Sequence, residues 1–163
     1  MLIKYLLVFF ISMVPLIEIR ASIPYALAVI DGGVNLNFFL CCVIAVVGNM
    51  LPVPFIFFFA RKVLEWGKDK KIIGKFFTWC LEKGHKGGTT LMEKTGKGVY
   101  WALFLFVGIP LPGTGAWTGT LAASILDMDF KKSVMAIICG VILAGTIVGL
   151  ICTGVLGVLN FLL

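Results

Sequence analysis

Two long apolar runs are the feature of this sequence that most constrains its fold. The first extends from Leu36 to Ala60, and the second extends from Val134 to about Leu159. Each run is longer than the roughly 20 apolar residues that a helix needs to cross a bilayer core. The chain of 163 residues is also 60% hydrophobic, which exceeds the usual share in soluble domains. We therefore expect an all-α integral membrane protein with a single membrane domain, residues 1–163.

Each long run follows a shorter apolar segment that prolines and glycines interrupt. Residues 5–30 contain PLIEIRASIP, and residues 99–126 contain GIPLPGTGAWTG. Neither arm of either segment is long enough to span a membrane, and irregular backbone at membrane depth must line protein or water. We therefore predict two re-entrant helical hairpins over these segments. A transmembrane helix follows each hairpin, over residues 36–60 and 134–159.

The same order of elements occurs in both halves of the chain. In each half, the second arm ends at an aspartate, Asp31 or Asp127, a few residues before the long helix. A hairpin returns to its own side of the membrane, whereas each long helix crosses it. The halves, residues 1–60 and 99–163, are therefore expected to have opposite orientations. Inverted repeats of this kind occur in many transporters.

Positive charge is concentrated between the two halves. Residues 61–98 hold ten basic and four acidic side chains, so this segment accounts for the whole net charge of +6. Basic loops beside apolar helices usually face the cytoplasm. We expect a cytoplasmic connection in a protein of the cell inner (plasma) membrane, with no nucleic-acid partner. Within it, residues 69–83 show helical spacing of apolar side chains, which indicates an amphipathic helix on the membrane surface.

The cysteines and the histidine do not indicate a metal site or an enzyme. The five cysteines include no C-x-x-C pair, and His85 is the only histidine, so neither disulfides nor zinc are supported. We interpret the cysteines as small buried side chains. No nucleophile–base pair is recognisable either. We therefore expect no enzymatic activity, no cofactor and no metal.

The first hairpin contains two charged residues, Glu18 and Arg20. A charge at mid-membrane costs roughly 2.5–3.5 kcal/mol on insertion scales, so both must be paired, hydrated or neutralised. In a continuous helix they would point to different faces, whereas a broken backbone lets both face one polar cavity. A proton taken up by Glu18 would couple proton movement to substrate movement. The alternative is that the two residues form a structural ion pair.

The breaks themselves favour an anion site. The second arm of each hairpin begins a new helix, with Ser22 and Thr118 as candidate caps, so N–H groups and positive dipole ends face the membrane interior. Glycines near the second break let a ligand approach the backbone closely, and Arg20 adds a full charge. Such a site suits a phosphate. The candidate binding residues are Glu18, Arg20, Ser22, Pro24, Asn49, Pro110, Pro112, Gly113, Thr114, Gly115, Trp117 and Thr118.

Three stretches resemble a known family over nearly the whole chain. EIRASIPYAL, GNMLPVPFIFFFARK and GIPLPGTGAWTGTLAASIL are similar to the small multidrug export protein family, which is considered a distant relative of the DedA membrane proteins. The resemblance implies inverted re-entrant hairpins. It also implies proton-coupled transport of the kind linked to undecaprenyl phosphate recycling, with Glu18 and Arg20 as the membrane charges. The second hairpin carries no arginine, which is a departure from the DedA pattern.

Three functions remain open from the sequence. The first is a homodimeric transporter that moves an amphipathic anion among membrane lipids, namely a polyprenyl phosphate or a phospholipid head group, coupled to protons. The second is an exporter of hydrophobic cations with Glu18 as counter-ion and aromatic contacts. The third is a non-transporting scaffold or assembly factor in which Glu18 and Arg20 form a structural pair. The candidate aromatic contacts of the exporter are Phe55, Phe57, Trp101 and Trp117.

Overall fold

The computed structural model describes residues 2–68, 78, 98–111 and 113–162, and the regular structure in these residues is helical. Two helical paths, Phe38–Ala60 and Phe130–Gly154, are long and apolar enough to cross a membrane. The expected all-α class with two membrane-capable helices is therefore confirmed. The helices within the described ranges are α1 (Leu2–Met13), α2 (Glu18–Asp31), α3 (Phe38–Met50), α4 (Pro52–Lys68), α5 (Gly98–Gly108), α6 (Ala116–Ile125) and α7 (Phe130–Leu162).

The long helices extend beyond the bounds that hydropathy predicts. α4 continues to Lys68, so residues 61–68 prolong the first long helix instead of opening a loop. α7 runs from Phe130 to Leu162, which is longer than the predicted 134–159. The amphipathic helix predicted over 69–83 lies outside the described residues, apart from Thr78.

The first long helical path has a junction at Leu51, between α3 and α4. Pro52 and Pro54 have no N–H, which ends the regular ladder of α3, and a proline is well suited to the first turn of α4. Leu51 keeps helical dihedrals (φ −60°, ψ −41°) and donates to the carbonyl of Val47 at 3.1 Å. The helical path therefore continues across the junction. At the start of α3, Asn37 is the N-cap, since its Oδ1 accepts from the N–H of Leu40 at 3.1 Å.

Two interruptions separate the shorter helices. The first break, residues 14–17, lies between α1 and α2, where Leu16 (φ 68°) and Glu18 (φ 51°) have left-handed backbone. The second break, residues 109–115, lies between α5 and α6. A left-handed residue with a side chain costs roughly 1–2 kcal/mol. The surrounding contacts must therefore fix the conformation of the first break.

The first helix of each broken pair packs closely on the long helix that follows it. Gly48 of α3 lies against α1, where an added Cβ would come 2.6 Å from the carbonyl oxygen of Phe9. Gly140 of α7 lies against α5 in the same way, 2.8 Å from the carbonyl oxygen of Phe104. Small residues permit such backbone approach between membrane helices. α2 in turn contacts α3 and α7, and α6 contacts α7 and α4.

Large apolar side chains cover much of the outer surface of the described helices. Phe39, Phe55 and Leu150 are exposed, and the buried core is formed largely by smaller aliphatic side chains. An apolar exterior of this extent suits hydrocarbon better than water. The prediction that the cysteines are buried holds for Cys41 and is wrong for Cys139, which is exposed. Cys80 lies outside the described residues.

Candidate functional site

The two breaks lie against each other. The indole N–H of Trp117, at the start of α6, donates to the carbonyl of Met13, the last residue of α1, at 3.2 Å. The side chains of Glu18 and Arg20 extend from the first break to the second. The structure therefore brings together two segments that are almost 100 residues apart in the sequence.

The carboxylate of Glu18 caps α6. Its Oε2 accepts from the N–H of Ala116 at 3.1 Å, and its Oε1 accepts from the N–H of Trp117 at 3.0 Å. The side chain is only 3% exposed. The first N–H groups of a helix have no partner within the helix, and the positive end of its dipole favours a negative charge. Glu18 satisfies both requirements from the other half of the chain.

Gly115 makes room for this carboxylate. Its φ of +140° is a conformation that side-chain-bearing residues rarely adopt. A Cβ at this position would overlap Oε2 of Glu18 and lie 2.7 Å from its Cδ. Gly113 is also left-handed, with φ +81°, but has open space around its Cα. Gly115 is therefore required by both conformation and close approach, whereas Gly113 is required by conformation alone.

Arg20 binds the other side of the second break, just after α5. Its Nη1 donates to the carbonyl of Leu111 at 2.6 Å, and its Nη2 donates to Oγ1 of Thr114 at 2.6 Å. A longer contact of 3.5 Å joins Nη2 to the carbonyl of Ile109. Cations are favoured near the carboxyl end of a helix. We call Glu18, Arg20 and their hydrogen bonds to residues 109–117 the latch.

The latch occupies the groups that the sequence predicts to form an open anion site. The start of α6 is already occupied by Glu18, and the terminal nitrogens of Arg20 are bound to the second break. The candidate caps are wrong, because Ser22 and Thr118 lie inside their helices. Ser22 donates to the carbonyl of Ile19 at 3.3 Å, and Thr118 donates to the carbonyl of Gly115 at 3.4 Å.

The remaining candidate residues lie in different surroundings. Pro24 is inside α2, and Pro110 is half-buried within the second break. Asn49 is fully buried on α3. Pro112 lies outside the described residues. The backbone partners of the latch carry no sequence signal, since every residue other than proline has both an N–H and a carbonyl.

An apolar groove opens between α2, α3 and α7, with a volume of about 630 Å³. Ile19 and Ile23 of α2 line it, and α7 approaches them closely at Gly145, where an added Cβ would lie 2.9 Å from Cδ1 of Ile19. The hydroxyls of Thr146 and Thr153 face it but donate to carbonyls of their own helix. The other lining residues are Phe38, Phe39, Cys42, Val43, Val46, Val47, Ile142, Gly149 and Leu150. No sequence pattern predicts this groove, because its lining comes from three separate helices.

The four aromatic residues expected to contact a cation do not line this groove. Phe55 and Trp101 are exposed, while Phe57 is buried and packs on Phe130 with 5.1 Å between ring centroids. Trp117 is bound to the end of α1. Within the described ranges, no group of three or more His, Cys, Asp or Glu side chains is placed to hold a metal ion.

Helices of this length and apolarity, together with charges that join two broken helix pairs, define an all-helical membrane protein. A family model described as "Putative small multi-drug export protein" matches residues 18–147. The chain belongs to this family. The match begins at Glu18 and contains the whole latch. No curated protein and no solved structure shows a significant match. The relationship to the DedA proteins stays a prediction.

Proposed function

We propose that the protein exports small hydrophobic compounds, with cations as the preferred class, and that it binds them in the apolar groove. The observation that carries this proposal is the position of Ile19. Ile19 lines the groove and stands between Glu18 and Arg20 on α2. A compound that enters the groove therefore presses on the helix that bears both latch charges.

The groove has the dimensions and lining of a small-molecule site. Its volume of about 630 Å³ falls within the 300–1,000 Å³ that is usual for ligand pockets, which are mostly apolar. α3 and α7 belong to the two membrane-capable paths. A hydrophobic compound dissolved in the bilayer therefore reaches the groove directly from the lipid.

Glu18 supplies the coupling between a cation and the latch. Its two oxygens bind the N–H groups of Ala116 and Trp117. The same oxygens are the counter-ion that a hydrophobic cation needs inside a membrane. A cation and the first N–H groups of α6 therefore compete for the carboxylate of Glu18. A bound cation favours an open latch, in which Glu18 no longer caps α6. A ligand shifts a conformational equilibrium only through such a difference in affinity between two states.

Alternating access is supported by the repeated packing of the two halves. α1 on α3 corresponds to α5 on α7, and the contact of α2 with α7 corresponds to that of α6 with α4. We propose that each broken pair is a re-entrant hairpin and that the halves are inverted repeats, as in other transporters. Movement of one hairpin relative to the other then breaks and remakes the latch. We further propose a homodimer in the cell inner membrane with the segment 61–98 in the cytoplasm.

Transport of a polyprenyl phosphate or phospholipid head group, as in the DedA proteins, is a second proposal. The guanidinium of Arg20 supports it, because Nε has no hydrogen-bond partner among the described residues. The occupied start of α6 weighs against it. A phosphate would first have to displace Glu18 from two hydrogen bonds, and the repulsion of like charges opposes this. A scaffold role is a third proposal, in which the latch is only a structural link.

The three proposals are separated by transport in proteoliposomes. The variants are Val43→Trp, which fills the groove, and Leu105→Trp, a control on α5 with similar exposure, 43% against 47%. The substrates are a fluorescent quaternary ammonium dye and a labelled polyprenyl phosphate. We expect the wild type and Leu105→Trp to move the dye and Val43→Trp to lose this activity at unchanged melting temperature. Movement of the phosphate alone would support the anion proposal, and movement of neither compound would support the scaffold.

A further inference from the structure

Asn49 is a buried amide without a partner at the middle of a membrane-capable helix. Its side chain is 0% exposed, and neither Oδ1 nor Nδ2 has a hydrogen-bond partner in the described part of the chain. It is the central residue of the path Phe38–Ala60, which has 23 residues. Buried polar side-chain groups in native proteins are nearly always hydrogen-bonded. Hydrocarbon offers no substitute for water, so a bound group at Asn49 is expected.

The backbone on either side of Asn49 also has spare acceptors. Pro52 and Pro54 have no N–H to donate to the carbonyls four residues earlier. Those carbonyls belong to Gly48 and Met50, the two neighbours of Asn49. Both carbonyls therefore lack the usual donor four residues later, and the amide of Asn49 between them has no partner for its oxygen or its nitrogen.

This turn lies beside the first break. A Cβ added at Gly48 would meet the hydroxyl of Ser12 and the carbonyl of Phe9, so α3 and α1 approach closely at this position. Ser12 is the last residue but one of α1, and the carbonyl of Met13 accepts the indole N–H of Trp117. Asn49 is therefore adjacent in sequence to Gly48, the residue of α3 that packs against the end of α1. A group bound at Asn49 is close in the fold to the segment whose movement is proposed to open the latch.

We propose that Asn49, with the carbonyls of Gly48 and Met50, binds a neutral hydroxyl group. A cation would satisfy the three oxygens and leave the N–H groups of Nδ2 unpaired, whereas an anion would do the reverse. An O–H group accepts from Nδ2 and donates to an oxygen, so it satisfies both functions of the amide. Such a group belongs either to an ordered water or to a hydroxylated compound. Only the second source depends on the proposed export function.

The two sources are distinguished without a transport assay. Protein in lipid nanodiscs is exposed to radiolytic hydroxyl radicals, which label side chains next to ordered water, and oxidation of Met50 is read by mass spectrometry. Separately, the melting temperature is measured with 2-naphthol and with naphthalene, which differ by one hydroxyl. Both measurements are made on the wild type, on Asn49→Leu, and on Cys41→Ala as a control for a change in another buried residue of α3.

We expect a bound water to give several-fold more Met50 oxidation in the wild type than in Asn49→Leu. If the hydroxyl comes from a compound instead, 2-naphthol raises the wild-type melting temperature by several degrees more than naphthalene, and this difference vanishes in Asn49→Leu. The proposal is overturned if Met50 oxidation is equal in both proteins and the two compounds also act alike. The comparison of the two compounds on the wild type remains informative even if Asn49→Leu fails to fold. If the protein does not transport the dye but Met50 oxidation still depends on Asn49, the export proposal fails and the hydroxyl site at Asn49 is supported.

Discussion

Glu18 is the residue at which the two halves of the molecule depend on each other most directly. It accepts two hydrogen bonds at the start of α6, and its own φ of 51° is strained. Two hydrogen bonds to a charged group together contribute roughly 3–6 kcal/mol, which is larger than the cost of about 2–4 kcal/mol for the two left-handed residues, Leu16 and Glu18. The capping contact therefore outweighs the strain of the first break.

We expect Glu18→Gln to destabilise the protein by about 2–3 kcal/mol. The amide keeps one acceptor oxygen, but its NH₂ group then faces an N–H of α6 and leaves it unpaired, which carries a penalty of this order. The measurement is the free energy of unfolding in detergent micelles, followed by circular dichroism. Asp31→Asn is the matched control, because Asp31 is exposed at the end of α2 and should change stability by less than about 0.5 kcal/mol. Equal stability of the two variants would show that the capping bonds do not matter.

The two left-handed glycines of the second break should respond differently to alanine. Gly113→Ala meets only the conformational cost, about 1–2 kcal/mol, because the space around it is open. Gly115→Ala adds a clash with the buried carboxylate of Glu18, so it should lose clearly more stability than Gly113→Ala and release Glu18 from α6. Thermal unfolding of both variants tests this order. Gly113→Ala being the more damaging change would contradict the assigned role of Gly115.

At the level of residues, the sequence predicts the members of the site better than their partners. The charges in an apolar segment identify Glu18 and Arg20, and the glycines identify a close approach to the second break. The sequence predicts an external anion at that approach, whereas in the structure the carboxylate of Glu18 occupies it. Sequence patterns do not show which distant backbone N–H groups a carboxylate will meet.

Among the helices, α6 is the one that depends most on its neighbours. It has 10 residues, and isolated helices shorter than about 12–15 residues are marginal. The carboxylate of Glu18 and the indole of Trp117 both fix its first turn to the opposite half of the chain. The latch therefore stabilises the first turn of α6, in addition to the packing of α6 on α4 and α7.

We expect Trp117→Phe to destabilise α6 without leaving a large cavity around residue 117. The phenyl ring keeps most of the packing and loses the indole N–H bond to the carbonyl of Met13, which is worth about 0.5–1.5 kcal/mol. Hydrogen exchange of the amides of α6 should accelerate by roughly the corresponding factor of 2 to 13. Trp101→Phe, on the exposed face of α5, is the control and should leave the exchange of α6 unchanged. Unaltered exchange in Trp117→Phe would show that the indole does not hold the break closed.

The bounds of the helices illustrate what hydropathy can and cannot predict. The predicted run 36–60 matches the apolar path Phe38–Ala60, but the helix itself continues to Lys68. Hydropathy falls where charged residues begin, whereas a helix continues until its backbone hydrogen bonds stop. Arg61 and Lys62 are good helix formers, so they end the membrane path without ending α4.

For the molecule as a whole, the repeated order of elements predicts packing that sequence identity does not reveal. The residues of the two halves differ, yet Gly48 and Gly140 each admit the first helix of the preceding broken pair. One small residue in each half of the chain allows this close approach. The groove, in contrast, arises from the spacing of α2, α3 and α7, which no single segment encodes.

The orientation of the broken pairs in the membrane is the decisive property of the whole molecule. α1 and α2 have 12 and 14 residues, so at 1.5 Å per residue neither arm reaches across a hydrocarbon core of about 30 Å. Joined end to end, the two arms would be long enough. However, α1 and α2 pack on each other, which favours a hairpin that returns to its own side. Leu2 and Asn35, which flank the pair, should then face the same side of the membrane.

Single cysteines in a background without the five native ones test this arrangement. We expect a membrane-impermeant maleimide to label Leu2→Cys and Asn35→Cys from the outside of intact cells. Lys132→Cys should react only after permeabilisation, because it is expected on the side of the basic segment. All three positions are exposed, so differences in labelling report the side of the membrane and not burial. If Leu2→Cys and Asn35→Cys react from opposite sides, the first pair crosses the bilayer, the halves are not inverted, and the alternating opening of the latch loses its basis.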